Sequence, residues 1–231
     1  MKTIGVIGGL GPQATMDFEN LIHKASEKLI PQHENQGYPP MITWYLRHPP
    51  MKFKDGHPQI PLEPHPHLLE VARSLGSQAD FLVIPSNTPH LFLREIEEAA
   101  GCEVLSIVDL VIGECRKRSA KRVGVLAIGF ALEHGLYQGR LVKENMSCEV
   151  ISLEIATKLD KSIFAVMEGK SSPSDVSVAT AAIQFLRDKN VDSIILGCSE
   201  VPLLIQQEEN LKDLINPIQL LAEAAVRYAL T

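Results

Sequence analysis

Two segments of this 231-residue chain recur in the same order. KTIGVIG at residues 2–8 resembles KRVGVLA at 121–127, and DFLVIPS at 80–86 resembles DSIILGC at 192–198. Each half therefore opens with an apolar run leading into a turn. Each later carries an Asp, a mostly apolar run, a turn residue and a small nucleophilic side chain. Short apolar runs of this kind are buried strands, and their alternation with amphipathic stretches predicts an α/β fold with mainly parallel sheets flanked by helices. The repeat predicts two similar lobes related by a pseudo-twofold axis, residues 1–107 plus 213–231 and residues 108–212, with an active site between them. Ser86 and Cys198 fall at matching positions, just past a buried strand. Parallel sheets bind ligands at that edge, so the two side chains are expected to face one cleft.

Along the chain, strands are expected at 4–7, 41–46, 81–84, 104–107, 123–127 and 194–196. Helices are expected at 14–29, 68–75, 91–100, 108–118, 183–188 and 217–229. Residues 31–67 hold more than half of the prolines and five of the eight histidines. They read as a long ordered loop around the second strand, a candidate lid or dimer contact. Residues 170–175 read as a second polar loop.

The length suffices for one large domain or two small ones with a real core. The net charge of -6, with no block of Lys or Arg, argues against nucleic acid or an anionic membrane as partner. No apolar run approaches the roughly 20 residues that span a bilayer. The start of the chain reads as a strand and a glycine turn rather than a secretory signal, so a cytoplasmic protein is expected. The four cysteines, Cys102, Cys115, Cys148 and Cys198, form no CxxC pair and are expected as free thiols.

GLGPQA at 9–14 fits the G-x-G-x-x-A dinucleotide fingerprint in form. That motif also needs an acid at the end of the second strand to hold a ribose, and here the strand ends in Arg47-His48. A cation there suits a carboxylate better, through the bidentate fork of a guanidinium. The glycine loop still offers backbone N–H groups at a helix start to an anion. His48, His57, His65 and His67 lack a metal-ligand spacing and read as a proline-rich surface loop. SNTPH at 86–90 and GCSEVP at 197–202 are dense polar knots after buried strands. Helix capping explains one residue in each but not the cluster. Cys198 is expected beside the N–H groups of a following helix, a setting that lowers a thiol pKa and favours thiolate. A Ser-His-Asp hydrolase is disfavoured: there is no G-x-S-x-G elbow, and His90 lies four residues from Ser86 on what should be the same helix.

IGVIGGLGPQAT at 4–15, SNTPH at 86–90, GCSEVPLL at 197–204 and GLYQ at 135–138 together resemble the aspartate/glutamate racemase family, across essentially the whole chain. The resemblance implies two α/β lobes, no pyridoxal phosphate, no metal, and often a homodimer. It implies a D-amino-acid isomerase in which two opposed cysteines move the α-proton of a small amino acid, aspartate or glutamate. Cys198 matches the second cysteine. The first is replaced by Ser86. By the same resemblance Asn87, Thr88 and Ser199 hold substrate carboxylate or amino groups, and Glu200 orients the ammonium or Cys198. Gly11 and Thr15 line the pocket, and Arg47 takes the side-chain carboxylate. The loop 127–132, AIGFAL, is more apolar than the family's threonine-bearing version.

A serine hydroxyl is far less acidic than a thiol, and no neighbouring base is evident to activate it. Three readings of Ser86 stay open: an engineered replacement that traps substrate, a one-sided single-cysteine enzyme such as an enantiomer-specific isomerase or decarboxylase, or a non-catalytic amino-acid-binding protein.

Overall fold

The computed structural model describes residues 1–55, 57–205 and 211–231. Gly56, in the proline- and histidine-rich segment, and residues 206–210, in the expected second lobe, lie outside the described residues. The chain divides into two compact units, Met1–Ile107 with Ile218–Thr231, and Val108–Pro217.

In the first unit the elements run β1 (Ile4–Gly8), α1 (Pro12–Leu29), β2 (Met41–Tyr45), β3 (Phe53–Lys54), β4 (His57–Pro58), α2 (Pro66–Gly76), β5 (Phe81–Val83), a 3-10 helix (Thr88–Phe92) and α3 (Leu93–Ala100). Strands β2, β1 and β5 form a parallel sheet in that order. All five residues of β1 are buried. Helix α1 buries Ala14, Phe18, Ile22 and Ala25, a spacing of three and four that lays one apolar stripe on the core. Its start carries Pro12, whose missing N–H would have had no partner inside the helix.

Helix α4 (Ile107–Lys117) leads into the second unit. There the order is β6 (Arg122–Leu126), α5 (Gly129–Glu133), α6 (Gln138–Lys143), β7 (Ser147–Val150), α7 (Leu153–Met167), α8 (Pro173–Arg187), β8 (Ser193–Leu196), α9 (Val201–Leu204) and β9 (Leu214–Ile215). Helix α10 (Pro217–Ala229) follows. The sheet is again parallel, in the order β7-β6-β8-β9. Because β9 pairs with β8, residues 213–217 belong to the second unit, and the return expected at 213 comes at 218.

Strand order and register match between the units. Ile4 lies opposite Met41 and Phe81, and Val123 opposite Cys148 and Ser193. The repeated Asp has the same task in both. Asp80 Oδ2 accepts from Thr3 N at 2.6 Å, and Asp192 Oδ2 accepts from Lys121 N and Arg122 N at 2.7 and 2.8 Å. Each thus ties the start of one strand to the start of its neighbour.

Several expectations need correction. The strand expected at 104–107 shrinks to one parallel bridge, Leu82 to Val104, because Ile107 already begins α4. The helix expected at 91–100 starts as the 3-10 turn around Pro89. The polar loop at 170–175 contains a helix start: Ser172 N donates to Asp175 Oδ2 at 2.8 Å, a capping box that opens α8 ten residues before the expected 183. Segment 31–67 is not a plain loop. It contains the β3–β4 hairpin, an antiparallel bridge from Met51 to Pro64, and a hydrogen bond from His65 N to Pro50 O at 2.9 Å. Among the described residues no helix is long and apolar enough to cross a membrane.

Candidate functional site

The glycine loop after β1 is set by three close approaches. Gly9 has φ +78, and a Cβ there would sit 2.8 Å from the backbone of Tyr45 and Leu46. Any other residue would be strained and obstructed. Thr15, 1% exposed, closes the loop: its Oγ1 accepts from Gly9 N at 2.9 Å and donates to Gly11 O at 3.0 Å. The Thr15 hydroxyl is therefore engaged within the loop, and Gly11 is the cap residue of α1.

Ser86 follows β5 and is half-buried. Its N–H bonds to Ile84 O at 2.8 Å, and its carbonyl faces His90 Nδ1 at 3.0 Å. His90 Nε2 lies 3.5 Å from Leu105 O, so both ring nitrogens face backbone carbonyls. Asn87, 3% exposed, occupies the N-cap position of the 3-10 helix without a side-chain capping bond, and half-buried Thr88 begins it. Arg47, past the end of β2, is exposed, with its guanidinium 5.0 Å from the centre of the Tyr45 ring.

In the second unit, β8 ends at Leu196, and Gly197 N bonds to Leu126 O at 2.7 Å. A Cβ on Gly197 would meet the Ala127 Cβ at 2.9 Å, so the turn into Cys198 needs a glycine. Cys198, Ser199 and Glu200 are 7%, 5% and 4% exposed. The Cys198 thiol donates to Glu200 Oε2 at 3.1 Å, and the Ser199 hydroxyl donates to the same oxygen at 3.0 Å. The thiolate expected at Cys198 is overturned by these contacts. Burial, and then the Glu200 carboxylate beside it, push the thiol well above its ordinary range and outweigh the Glu200 backbone N–H, which acts in the expected direction. The helix meant to favour thiolate is α9, only four residues long and starting three residues later.

Asp160, outside the sequence motifs, also acts on Cys198. It sits in α7, accepts from Gly129 N at 3.3 and 3.4 Å, and adds negative potential at Cys198. Burial raises its own carboxyl, the Gly129 N–H opposes that rise, and Glu133 adds to it. Nothing in the motif spacing marks Asp160. The GLYQ stretch is a structural turn: Gly135 has φ +63, Tyr137 is 1% exposed, and Gln138 Nε2 bonds to Leu132 O at 2.8 Å.

His48, His65 and His67 do converge, with ring centres 4.7–6.0 Å apart. Among the described residues no group of three or more His, Cys, Asp or Glu is arranged to hold a metal ion.

A family model described as Asp/Glu/Hydantoin racemase matches residues 7–225. The chain belongs to this family. The broad specificity amino-acid racemase RacX of Bacillus subtilis is 25% identical over 227 residues, covering 96% of each chain. An aspartate racemase from Picrophilus torridus has the same fold, with a TM-score of 0.79 at 23% identity over 99% of this chain and 94% of that one. The maleate isomerase Iso of Pseudomonas putida S16 is also similar in fold, at a TM-score of 0.61, 12% identity and 98% and 91% coverage. Racemase and isomerase chemistry is thus the general activity of the relatives to which this family member is similar.

Proposed function

We propose that this protein is an amino-acid racemase that needs neither pyridoxal phosphate nor a metal, with aspartate the first substrate to test. Cys198 handles the α-proton on one face of the substrate, and Ser86 stands on the other. The observation that carries this reading is the buried Cys198 thiol, hydrogen-bonded to Glu200 just past β8, at the position that repeats Ser86 past β5. Asn87, Thr88 and Ser199 hold the substrate's α-carboxylate and amino groups. The backbone at Gly11 lines the pocket, and Thr15 shapes it. Arg47 swings from Tyr45 to take a side-chain carboxylate.

The missing thiol limits the chemistry. Racemisation needs a proton taken from one face and returned to the other. A serine performs this only with a base at its hydroxyl, and the nearby imidazole nitrogen His90 Nδ1 is bonded instead to the Ser86 carbonyl. That contact favours the second reading, a one-sided catalyst in which Cys198 removes and restores the proton on a single face. Proton NMR in deuterium oxide, with each aspartate enantiomer, tests both. Exchange with inversion supports racemisation, and exchange with retention supports the one-sided enzyme. Binding without exchange leaves only an amino-acid-binding protein and sinks both catalytic readings.

A further inference from the structure

We propose that Glu200 acts as an electrostatic gate on Cys198, holding it as a thiol in the free protein and releasing it when a substrate ammonium pairs with the carboxylate. This deepens the racemase reading and rests on it for the identity of the ammonium. The geometry is specific. Glu200 Oε2 takes the Cys198 S–H at 3.1 Å and the Ser199 O–H at 3.0 Å, and all three residues are at least nine-tenths buried. A carboxylate that accepts from a thiol favours the protonated sulfur twice: it gains a hydrogen bond from S–H and would repel S⁻ at the same distance. Low local polarity strengthens both effects. The charged groups acting on the sulfur are Glu200 and, from α7, Asp160, both negative. Glu133 in α5 acts in turn on Asp160. Burial pushes in the same direction as these charges, and the Glu200 backbone N–H opposes them.

The gate opens when a cation neutralises Glu200. An amino acid carries one at the carbon next to the proton to be removed. As the ammonium pairs with the carboxylate, the S–H bond breaks, its electron pair stays on sulfur, and the proton leaves to water. The thiolate then takes the α-proton, re-forming S–H and leaving the electron pair on the substrate carbon. A resting thiol also suits a cysteine that must survive between turnovers, since the thiolate is the form that oxidants attack. In this scheme Glu200 touches the substrate ammonium and acts on the α-proton through the sulfur.

The test is the pH dependence of Cys198 alkylation by iodoacetamide, read by mass spectrometry of its peptide so that the other three cysteines do not contribute. In the unaltered protein the midpoint lies above the ordinary thiol value of about 8.5, and a midpoint at or below that value overturns the gate without any variant. Glu200→Gln keeps the shape and removes the charge. It lowers the midpoint by about one unit or more, a tenfold rise in thiolate at neutral pH. Glu200→Asp, which keeps the charge, leaves the midpoint high. An unchanged or raised midpoint in a folded Glu200→Gln protein overturns the proposal. Release is read as thiolate absorbance in the far ultraviolet, with Cys198→Ser as the blank. Aspartate raises the signal and succinate, which lacks the ammonium, does not; equal responses, or none to any amino acid, overturn the release step. A shifted midpoint in a protein that exchanges no α-proton retains the thiol control and removes the racemase reading. Exchange with an unshifted midpoint does the reverse.

Discussion

Asp192 holds the backbone N–H of Arg122 at 2.8 Å, and the same carboxylate oxygen takes the N–H of Lys121 at 2.7 Å. These donors hold the Asp192 carboxyl below the usual carboxylate range. A carboxyl depressed in the folded state stabilises it above the unfolded pKa of about 3.9, and that contribution is lost as pH falls through the folded value. Asp192→Ala should therefore lower the melting temperature by a few degrees at pH 7, a modest effect because the side chain is exposed. The gap between variant and parent should close on acidification below the ordinary Asp range. Thermal melts across pH measure this, and a gap that persists in acid would show that the strap is not electrostatic.

Thr15→Val removes a hydroxyl that serves Gly9 N and Gly11 O while keeping nearly the same volume. The variant leaves a backbone donor and acceptor to find new partners in a buried turn, at a cost of roughly 1–3 kcal/mol. Urea unfolding should show that loss, and Thr15→Ser should recover most of it. The glycine loop would also lose its shape, so substrate affinity should weaken in the valine variant. Equal stability of Thr15→Val and the parent would mean that the loop closes without this latch.

The parallel strands were readable because β1, β5, β6 and β8 are almost wholly buried and so appear as plain apolar runs. The repeat identified Ser86 and Cys198 as equivalents for the same reason, since each follows such a run by a fixed spacing. Helix α7 leaves no clear helical period because apolar residues lie on both of its faces. Leu159 and Ile163 are buried while Leu153 and Phe164 are exposed, which blurs a period of 3.6. Strand β7 has no fully buried residue and leaves no apolar run to read. The protonation of Cys198 was not legible either. A carboxylate two residues away can fold back onto the thiol or turn from it, and only side-chain geometry decides which.

Ser86→Cys should raise racemisation of aspartate by orders of magnitude, because it supplies a second acid-base group where the hydroxyl cannot exchange with carbon. Polarimetry with both enantiomers follows the reaction. Cys198→Ala in either background should abolish α-proton exchange. Absence of racemisation in both the serine and the cysteine forms, with aspartate, glutamate and neutral amino acids alike, would remove the racemase reading.

The segment between His48 and His65 closes on itself through the Met51–Pro64 bridge, the His65 N to Pro50 O bond and the Lys52–Glu63 pair at 2.5 Å. His48, His65 and His67 cluster at its base, with Glu70 beside His67 at 3.2 Å. Burial, then the charges of His48 and His67, hold the His65 imidazole below its ordinary range, with Glu70 opposing and Lys52 adding. A base depressed in the folded state takes its proton late. As pH falls below about 6.5 the open state gains the proton first, so closure weakens until the folded value is passed. Proteolysis within residues 50–64 should therefore quicken between pH 7.5 and pH 5.5, values chosen to span that range of roughly two units around an ordinary histidine. His65 also caps α2, its Nδ1 accepting from His67 N at 3.2 Å. His65→Asn keeps a cap acceptor and cannot be protonated, so it should flatten the pH response while leaving α2 in place. A variant that is cut with the parent's pH dependence would exclude the His65 imidazole as the source of that sensitivity.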